Sequence, residues 1–326
     1  MGPLAQVADT VQVHLDAVES RITQQAAAFD PAIEGYVAYA LGGKGKRLRP
    51  LVAILSGGAT GPITSAHIDL AVILELIHVA TLVHDDIMDE AERRRGQTTV
   101  NARWGNTLSV LVGDCLFAQA LNLSTNFNKA EISRAIAQAA RDVCSGEIIQ
   151  TQRRFDLHLG IDDYQQIVEM KTGSLFAVAA ELGAVINEAD TATVRSLKNY
   201  GLKVGTAYQI YDDCLDIAGN ESVIGKTLGT DLRKGKLTLP VLMLLRAAPA
   251  AERERYCQLI VGGKTEEMTD LLRTDAAGAP LSAAVEAGQN LIEEAQGELA
   301  ALSASGYSES LHQLGDGLRE LLDQLR

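Results

Sequence analysis

Apolar residues recur at intervals of three and four along most of this chain, the period of one helical face. Near the start Val7, Val11, Leu15, Val18 and Ile22 trace such a stripe and predict an amphipathic first helix. One segment departs from the pattern. Between Asp69 and Asp89, Leu70, Val72, Ile73, Leu74, Leu76, Ile77, Val79, Leu82 and Val83 cover nearly the whole circumference, which predicts a helix buried in the middle of a bundle. Interruptions are expected where Gly, Pro or Asn cluster, at 42–50, 56–62, 96–106, 219–235 and 262–263. None has the length or composition of a flexible linker, and the sequence carries no long-period repeat or low-complexity tract. The pattern predicts an all-α chain folded as a single domain over residues 1–326.

Composition narrows this reading. Hydrophobic residues make up 47% and charged residues 22%, enough apolar material for a sizeable core and too much for disorder. Seven Pro and 4% aromatics suit helices better than a many-stranded sandwich. With 29 Lys+Arg against 42 Asp+Glu the formal charge is −13, which argues against a nucleic-acid partner and makes any basic cluster informative. Cys115, Cys144, Cys214 and Cys257 lie far apart, with no Cys-x-x-Cys pair, so neither a disulfide framework nor a zinc site is expected. The start of the chain, with Asp9, His14 and Asp16, lacks the basic and apolar runs of a signal peptide. The greasiest stretch, Leu70 to Val83, contains Glu75 and His78 and falls short of the ~20 residues that span a bilayer. No transmembrane segment and a cytoplasmic location are expected.

The candidate chemistry begins where the buried helix ends. His84-Asp85-Asp86-Ile87-Met88-Asp89 is matched far downstream by Tyr211-Asp212-Asp213-Cys214-Leu215-Asp216, with the same Asp-Asp-x-x-Asp spacing. On a helix, residues four apart share a face, so Asp85 with Asp89, and Asp212 with Asp216, each aim two carboxylates in one direction. Carboxylates this close raise each other's pKa or require cations. A solvated helix end would explain one such cluster. Two clusters, each after an apolar helical run, fit Mg²⁺, a hard ion that takes oxygen ligands and is commonly completed by substrate phosphates. Reading His84-Asp85 as the metal pair of a phosphohydrolase finds no support, because His14, His67, His78, His158 and His312 form no second pair.

Three groups of cations stand out against the acidic background: Lys44, Lys46, Arg47 and Arg49; Arg93, Arg94 and Arg95; and Lys226, Arg233, Lys234 and Lys236. Arginine forks grip phosphate oxygens in bidentate fashion and lysine adds a point charge, so the mixture suits a diphosphate. The Arg93–Arg95 run follows Asp89 closely, which places phosphate and metal ligands in one pocket. There is no Gly-x-x-x-x-Gly-Lys-Ser/Thr loop, so an organic diphosphate is favoured over a nucleoside triphosphate.

Together these residues resemble the trans-type isoprenyl diphosphate synthases, long-chain octaprenyl-type members included, over about Gly43 to Pro240. Five segments occur in family order: Gly45-Lys46-Arg47-Leu48-Arg49-Pro50, the first Asp-rich motif with Arg94-Arg95-Gly96, Lys171-Thr172-Gly173, Tyr208-Gln209 with the second Asp-rich motif, and Gly225-Lys226 through Lys236. Lys44 stands where relatives often have Gly, and Arg93 precedes the usual arginine pair; neither removes a matched ligand.

The resemblance implies an isoprenoid synthase fold, a helical bundle around a deep central cavity, acting as a homodimer. It implies magnesium, three ions with the diphosphate bound, held by Asp85, Asp89 and Asp212 with support from Asp86, Asp213 and Asp216. Arg94, Lys171, Thr172, Gln209, Lys226 and Lys236 would surround an allylic prenyl diphosphate primer. Lys46, Arg49, His78 and Arg95 would hold isopentenyl diphosphate. The implied reaction is a 1'-4 trans condensation.

In short-chain relatives the fourth and fifth residues before the first aspartate are bulky aromatics; here they are Thr81 and Ala80. A small pair opens a path for the tail past Ile77 and Ile73 toward Leu116, Phe117 and Ile136, so the expected product is a long-chain polyprenyl diphosphate of about 25–40 carbons. The alternatives are a geranylgeranyl or farnesyl diphosphate synthase, if an aromatic blocks that path, and a noncatalytic partner subunit of a heteromeric synthase. A terpene cyclase of the same fold is disfavoured by Lys46, Arg49 and Arg95.

Overall fold

In the computed structural model, residues 5–43, 45–94, 96–219, 228–273 and 278–326 are described. Helices α1 (Ala5–Asp9), α2 (Gln12–Gln25), α3 (Pro31–Leu41) and α4 (Leu48–Thr60) lead to the long α5 (Ser65–Met88). A two-stranded hairpin, β1 (Arg93–Arg94) and β2 (Gln97–Thr98), precedes α6 (Val100–Trp104), α7 (Asn106–Ser124) and α8 (Ala130–Gln152). Then come α9 (Ile161–Val168), a π-helical turn (Glu169–Gly173), α10 (Ser174–Ile186), α11 (Thr191–Ala218) and α12 (Thr230–Arg233). The chain finishes with α13 (Leu239–Ala247), α14 (Ala250–Val261), α15 (Thr265–Arg273), α16 (Gly278–Glu298) and α17 (Gly306–Asp323).

The all-α expectation holds, apart from the antiparallel hairpin, in which Arg93 pairs with Thr98 and Arg94 with Gln97. The all-round apolar segment is the middle of the bundle, as predicted: Leu70 through Leu74, Leu76, Ile77 and Ala80 have no exposed surface. Around α5 pack α2, α4, α7 and α10, while α11 lies between α10 and α16. One contiguous apolar core runs from Val7 to Leu325.

The predicted boundaries needed three corrections. The first stripe is divided between α1 and α2 at Thr10–Val11, although Val7, Val11, Val18 and Ile22 are each buried as one face. Residues 48–50 and 56–60, expected as breaks, belong to α4. Pro50 sits in its first turn, where a missing N–H has no helical acceptor to lose. Gly57 is a packing residue, since a Cβ there would lie 2.3 Å from the His67 ring. Part of 96–106 is also helical, as α6, and so is Thr230–Arg233 within 219–235, as α12.

His67 explains how α5 is anchored. Its Nδ1 accepts from the Thr64 N–H at 3.0 Å, which closes a capping box, and its Nε2 meets the Gly183 carbonyl of α10 at 3.1 Å. That pairing assigns the proton to Nε2, and burial pulls the ring's pKa down, so this histidine is structural. By length and composition α5 and α7 could each cross a membrane, but the apolar window of α5 is 72% buried inside the bundle. The four cysteines are free thiols.

Candidate active site

The two aspartate motifs occupy the C-terminal ends of α5 and α11. In the first, Asp85 and Asp86 close the last helical turn and Asp89 is the residue that ends it. The hairpin folds back on this end. Arg94 uses both Nε and Nη2, each 2.8 Å from Asp86 Oδ1, a single-edge grip on a buried carboxylate. Asp89 receives Lys236 Nζ at 3.1 and 3.3 Å on its two oxygens and Lys234 at 3.2 Å.

Burial pushes these carboxyls up and the lysines pull them back, with a different balance at each. At Asp85 burial wins, aided by Glu147 and Asp89 and opposed by Lys171 and Lys236, and the pKa rises to about 6. Burial also leaves Asp86 raised despite Arg94. At Asp89 the burial effect is outweighed by Lys236 and Lys234, and the pKa is lowered.

Lys171 and Thr172 lie in the π-helical turn between α9 and α10, an irregularity that often marks functional positions. Lys171 donates to Gln150 Oε1 at 2.9 Å and is ion-paired with Glu147, both on α8. Burial lowers its pKa, but Asp85 and Glu147 outweigh that and hold it above the ordinary lysine value. Thr172 Oγ1 donates to Gln209 Oε1 at 2.8 Å, and Gln209 Nε2 donates to Asp213 Oδ1 at 2.8 Å. The other Asp213 oxygen accepts from the buried Tyr164 hydroxyl at 2.6 Å. Burial, with Asp231 adding repulsion, lifts Asp213 to about 8. Lys236 lies against Asp89 and 4.0 Å from Asp231, whose N–H donates to Asp216, so the loop after α12 links the first motif to the second through Asp231.

Not every predicted residue faces this cleft. Asp216 turns away: its oxygens accept from Thr230 Oγ1 at 3.0 Å and the Asp231 N–H at 3.1 Å, fixing the start of α12. Arg47 is spent on structure. It adopts a left-handed backbone (φ 49°) and joins Glu19 of α2 to the buried Glu75 of α5, the latter at 2.5 Å. Lys46 lies 6.0 Å from the Tyr208 ring of α11, the Gln209 helix, and Arg49 is 4.8 Å from the Phe176 ring of α10. His78 is half-buried, one turn below Thr81, whose hydroxyl bonds the His78 carbonyl. Ala80, Ile77 and Ile136 are fully buried and Phe117 partly so, on helices α5, α8 and α7, which pack on one another. Arg95 and Lys226, expected ligands, lie outside the described residues.

Glu147, Gln150, Tyr164, Arg154 and Asp231 were not anticipated. Glu147 and Gln150 are three apart on one face of α8, a legible spacing, but polar residues on an amphipathic helix read as its solvent face. Among the described residues, no three carboxylate, imidazole or thiol groups lie together at metal-ligand spacing. The donors present are all carboxylate oxygen, the chemistry of Mg²⁺, an ion that takes its remaining ligands from water and phosphate.

The chain is similar to known proteins along most of its length. The model of the polyprenyl synthetase family matches residues 30–274. The chain belongs to the polyprenyl synthetase family. It is 37% identical over 204 residues to the octaprenyl diphosphate synthase of Escherichia coli, a match covering 63% of this chain and 63% of that protein. The structure of a decaprenyl diphosphate synthase from Rhodobacter capsulatus superposes with a TM-score of 0.90 at 32% identity, over 99% of each chain. That of a polyprenyl synthase from Caulobacter crescentus, solved with calcium and isoprenyl diphosphate, gives 0.83 at 31% over 98% of each. Family members of this kind include long-chain enzymes, in line with the resemblance drawn from the motifs.

Proposed function

We propose that this protein condenses isopentenyl diphosphate with an allylic prenyl diphosphate primer, in Mg²⁺-dependent 1'-4 trans fashion, to a long-chain polyprenyl diphosphate of about 25–40 carbons. The observation that carries the reading is the convergence of Asp85, Asp86 and Asp89 with Lys171, Lys234, Lys236 and Arg94 beside the Thr172–Gln209–Asp213 chain. Carboxylates and cations in such density form a site for a polyanion together with a divalent cation.

Asp85, Asp89 and Asp212 are the residues that would hold Mg²⁺, which when bound supplies positive charge against the departing diphosphate. Lys171, kept protonated by its two carboxylates, and Lys236, buried against Asp89, offer fixed charges to the diphosphate oxygens. As the allylic C–O bond breaks, its electron pair leaves with the diphosphate. Charges already in place where that anion forms favour the step. Lys46, Arg49 and His78 orient isopentenyl diphosphate. Its double bond attacks the allylic carbon, and the proton then lost from the isopentenyl unit passes to the released pyrophosphate. No covalent enzyme intermediate is needed.

The reading extends to a homodimer. On α7, Val110, Leu111 and Leu121 expose 43%, 55% and 43% of their surface, an apolar face that a second copy would cover.

The test is incubation of the purified chain with Mg²⁺, isopentenyl diphosphate and farnesyl diphosphate, with Asp85→Ala as control. Long-chain product that disappears in the variant is expected. A twenty-carbon product would keep the mechanism and refute the open pocket. No condensation with any allylic primer would favour the noncatalytic-partner reading.

A further inference from the structure

We propose that Arg154 is a further ligand of the allylic diphosphate, presenting the Nε–Nη2 edge of its guanidinium beside Asp89; the inference rests on the diphosphate-binding reading above. Arg154 follows the end of α8, and its neighbour Arg153 behaves differently. Arg153 is bound locally, with Nη1 2.5 Å from Asp156 Oδ2. Arg154 instead lies toward Asp89. Its Nε and Nη2 are both buried and neither makes a hydrogen bond. The carboxylate paired with it is Asp89, whose Oδ1 lies 3.8 Å from Nη2, beyond hydrogen-bond reach. That carboxylate already accepts from Lys236 and lies against Lys234.

The two atoms left without acceptors are the pair that forms one side of the arginine fork, with parallel N–H vectors matched to two oxygens of one phosphate. Arg94 uses the same edge on Asp86. Buried donors are normally satisfied, so an unpartnered fork edge beside Asp89 and its lysines is matched to an anion.

Its position is held by the backbone. Phe155 adopts φ 59°, a conformation that bulky residues rarely take, and its N–H donates to the Gly235 carbonyl at 2.8 Å. The Phe155 ring lies where a Cβ on Gly235 would fall, 2.4 Å from the ring carbon. The turn carrying Arg154 is thereby locked to the loop carrying Lys234 and Lys236, and the three cations converge on Asp89. Lys46 and Arg49 lie elsewhere, against Tyr208 and Phe176. Arg154 therefore belongs with the allylic diphosphate and not with isopentenyl diphosphate.

The test uses the full chain carrying Arg154→Gln or Arg154→Lys. Two readouts are taken: steady-state KM for each substrate, and calorimetric titration with inorganic pyrophosphate in the presence of Mg²⁺. In Arg154→Gln the allylic KM should rise about ten- to hundredfold, as for loss of a charge-assisted bidentate contact, and pyrophosphate affinity should fall in parallel. The KM for isopentenyl diphosphate and the ligand-free Tm should stay unchanged. Arg154→Lys, which keeps the charge without the fork, should fall between.

An unchanged allylic KM and pyrophosphate affinity would overturn the assignment. So would a rise confined to the isopentenyl KM, or equal rises in both with a lowered Tm, which would mark a structural role. If Arg154→Gln does not fold, Arg154→Lys decides: weakened pyrophosphate binding with an intact Tm supports the proposal, and wild-type binding refutes it. Should the wild-type protein condense nothing, the functional reading fails, and the pyrophosphate titration still decides on Arg154.

Discussion

Asp213 shows how single residues here are set up for a partner that neutralises charge. It is buried on α11, accepts from Tyr164 and Gln209, and still titrates near 8 because burial and Asp231 oppose its ionisation. A carboxyl whose folded pKa is raised contributes stability that is complete below its unfolded value near 3.8 and is lost as pH rises through about 8. Asp213→Asn removes that titration and keeps groups able to meet Tyr164 and Gln209. In metal-free protein the variant should therefore match wild type at about pH 4 and show a higher Tm at about pH 9, the gap opening between. Thermal unfolding across that range checks it, and parallel curves would show that Asp213 is not under repulsion. Asp89 works in the opposite direction. Its lowered pKa adds stability above the ordinary carboxylate range that is lost as pH falls, because Lys236 and Lys234 already satisfy it.

At the scale of elements, close approach of helix backbones decides the geometry that carries these residues. At Gly201 in α11 a Cβ would lie 2.3 Å from the Phe176 carbonyl oxygen of α10, so neither side can yield without separating the two helices. Gly201→Ala should lower stability by about 1–3 kcal/mol despite alanine's better helix propensity. Gly35 in α3 has nothing within 4 Å of its would-be Cβ, and Gly35→Ala should raise stability by about 0.5–1 kcal/mol. Urea midpoints of the two variants should move in opposite directions, and a common shift would refute the packing argument.

The same physics explains which elements the sequence made legible. α5 was readable because an all-round apolar circumference has one solution, burial. α4 was misread, since Pro50, Gly57 and Gly58 look like punctuation while they serve a helical first turn and the rings of His67 and Tyr307. The aspartate motifs announced themselves by repetition. Glu147, Gln150 and Arg154 did not, because what makes them part of the site is the packing of α8 against the π-helical turn and the crossing of the Gly235 loop, and these are contacts between distant segments.

For the whole molecule, the arrangement of charged end and apolar shaft connects fold to product length. The charges gather where α5 and α11 end, and Ile73, Ile77 and Ala80 run back along α5 at steps of four and three, forming a fully buried stripe. Under the proposed function, a tail attached to a diphosphate at Asp85 would run along that stripe. Ala80 is the narrowest side chain on it, one turn from the aspartates, so the size of residue 80 should set how many units fit. Ala80→Phe should shift the product toward fifteen to twenty carbons, because a ring at residue 80 would close the path near the charged end. The first condensation, which needs no depth, should keep its rate within about threefold, since the charged end is untouched. Chain-length analysis beside the rate of the first addition separates the cases. Shortened product at an undiminished first step identifies residue 80 as the wall of the tail's path, whereas loss of both would mean that the added ring has only disturbed α5.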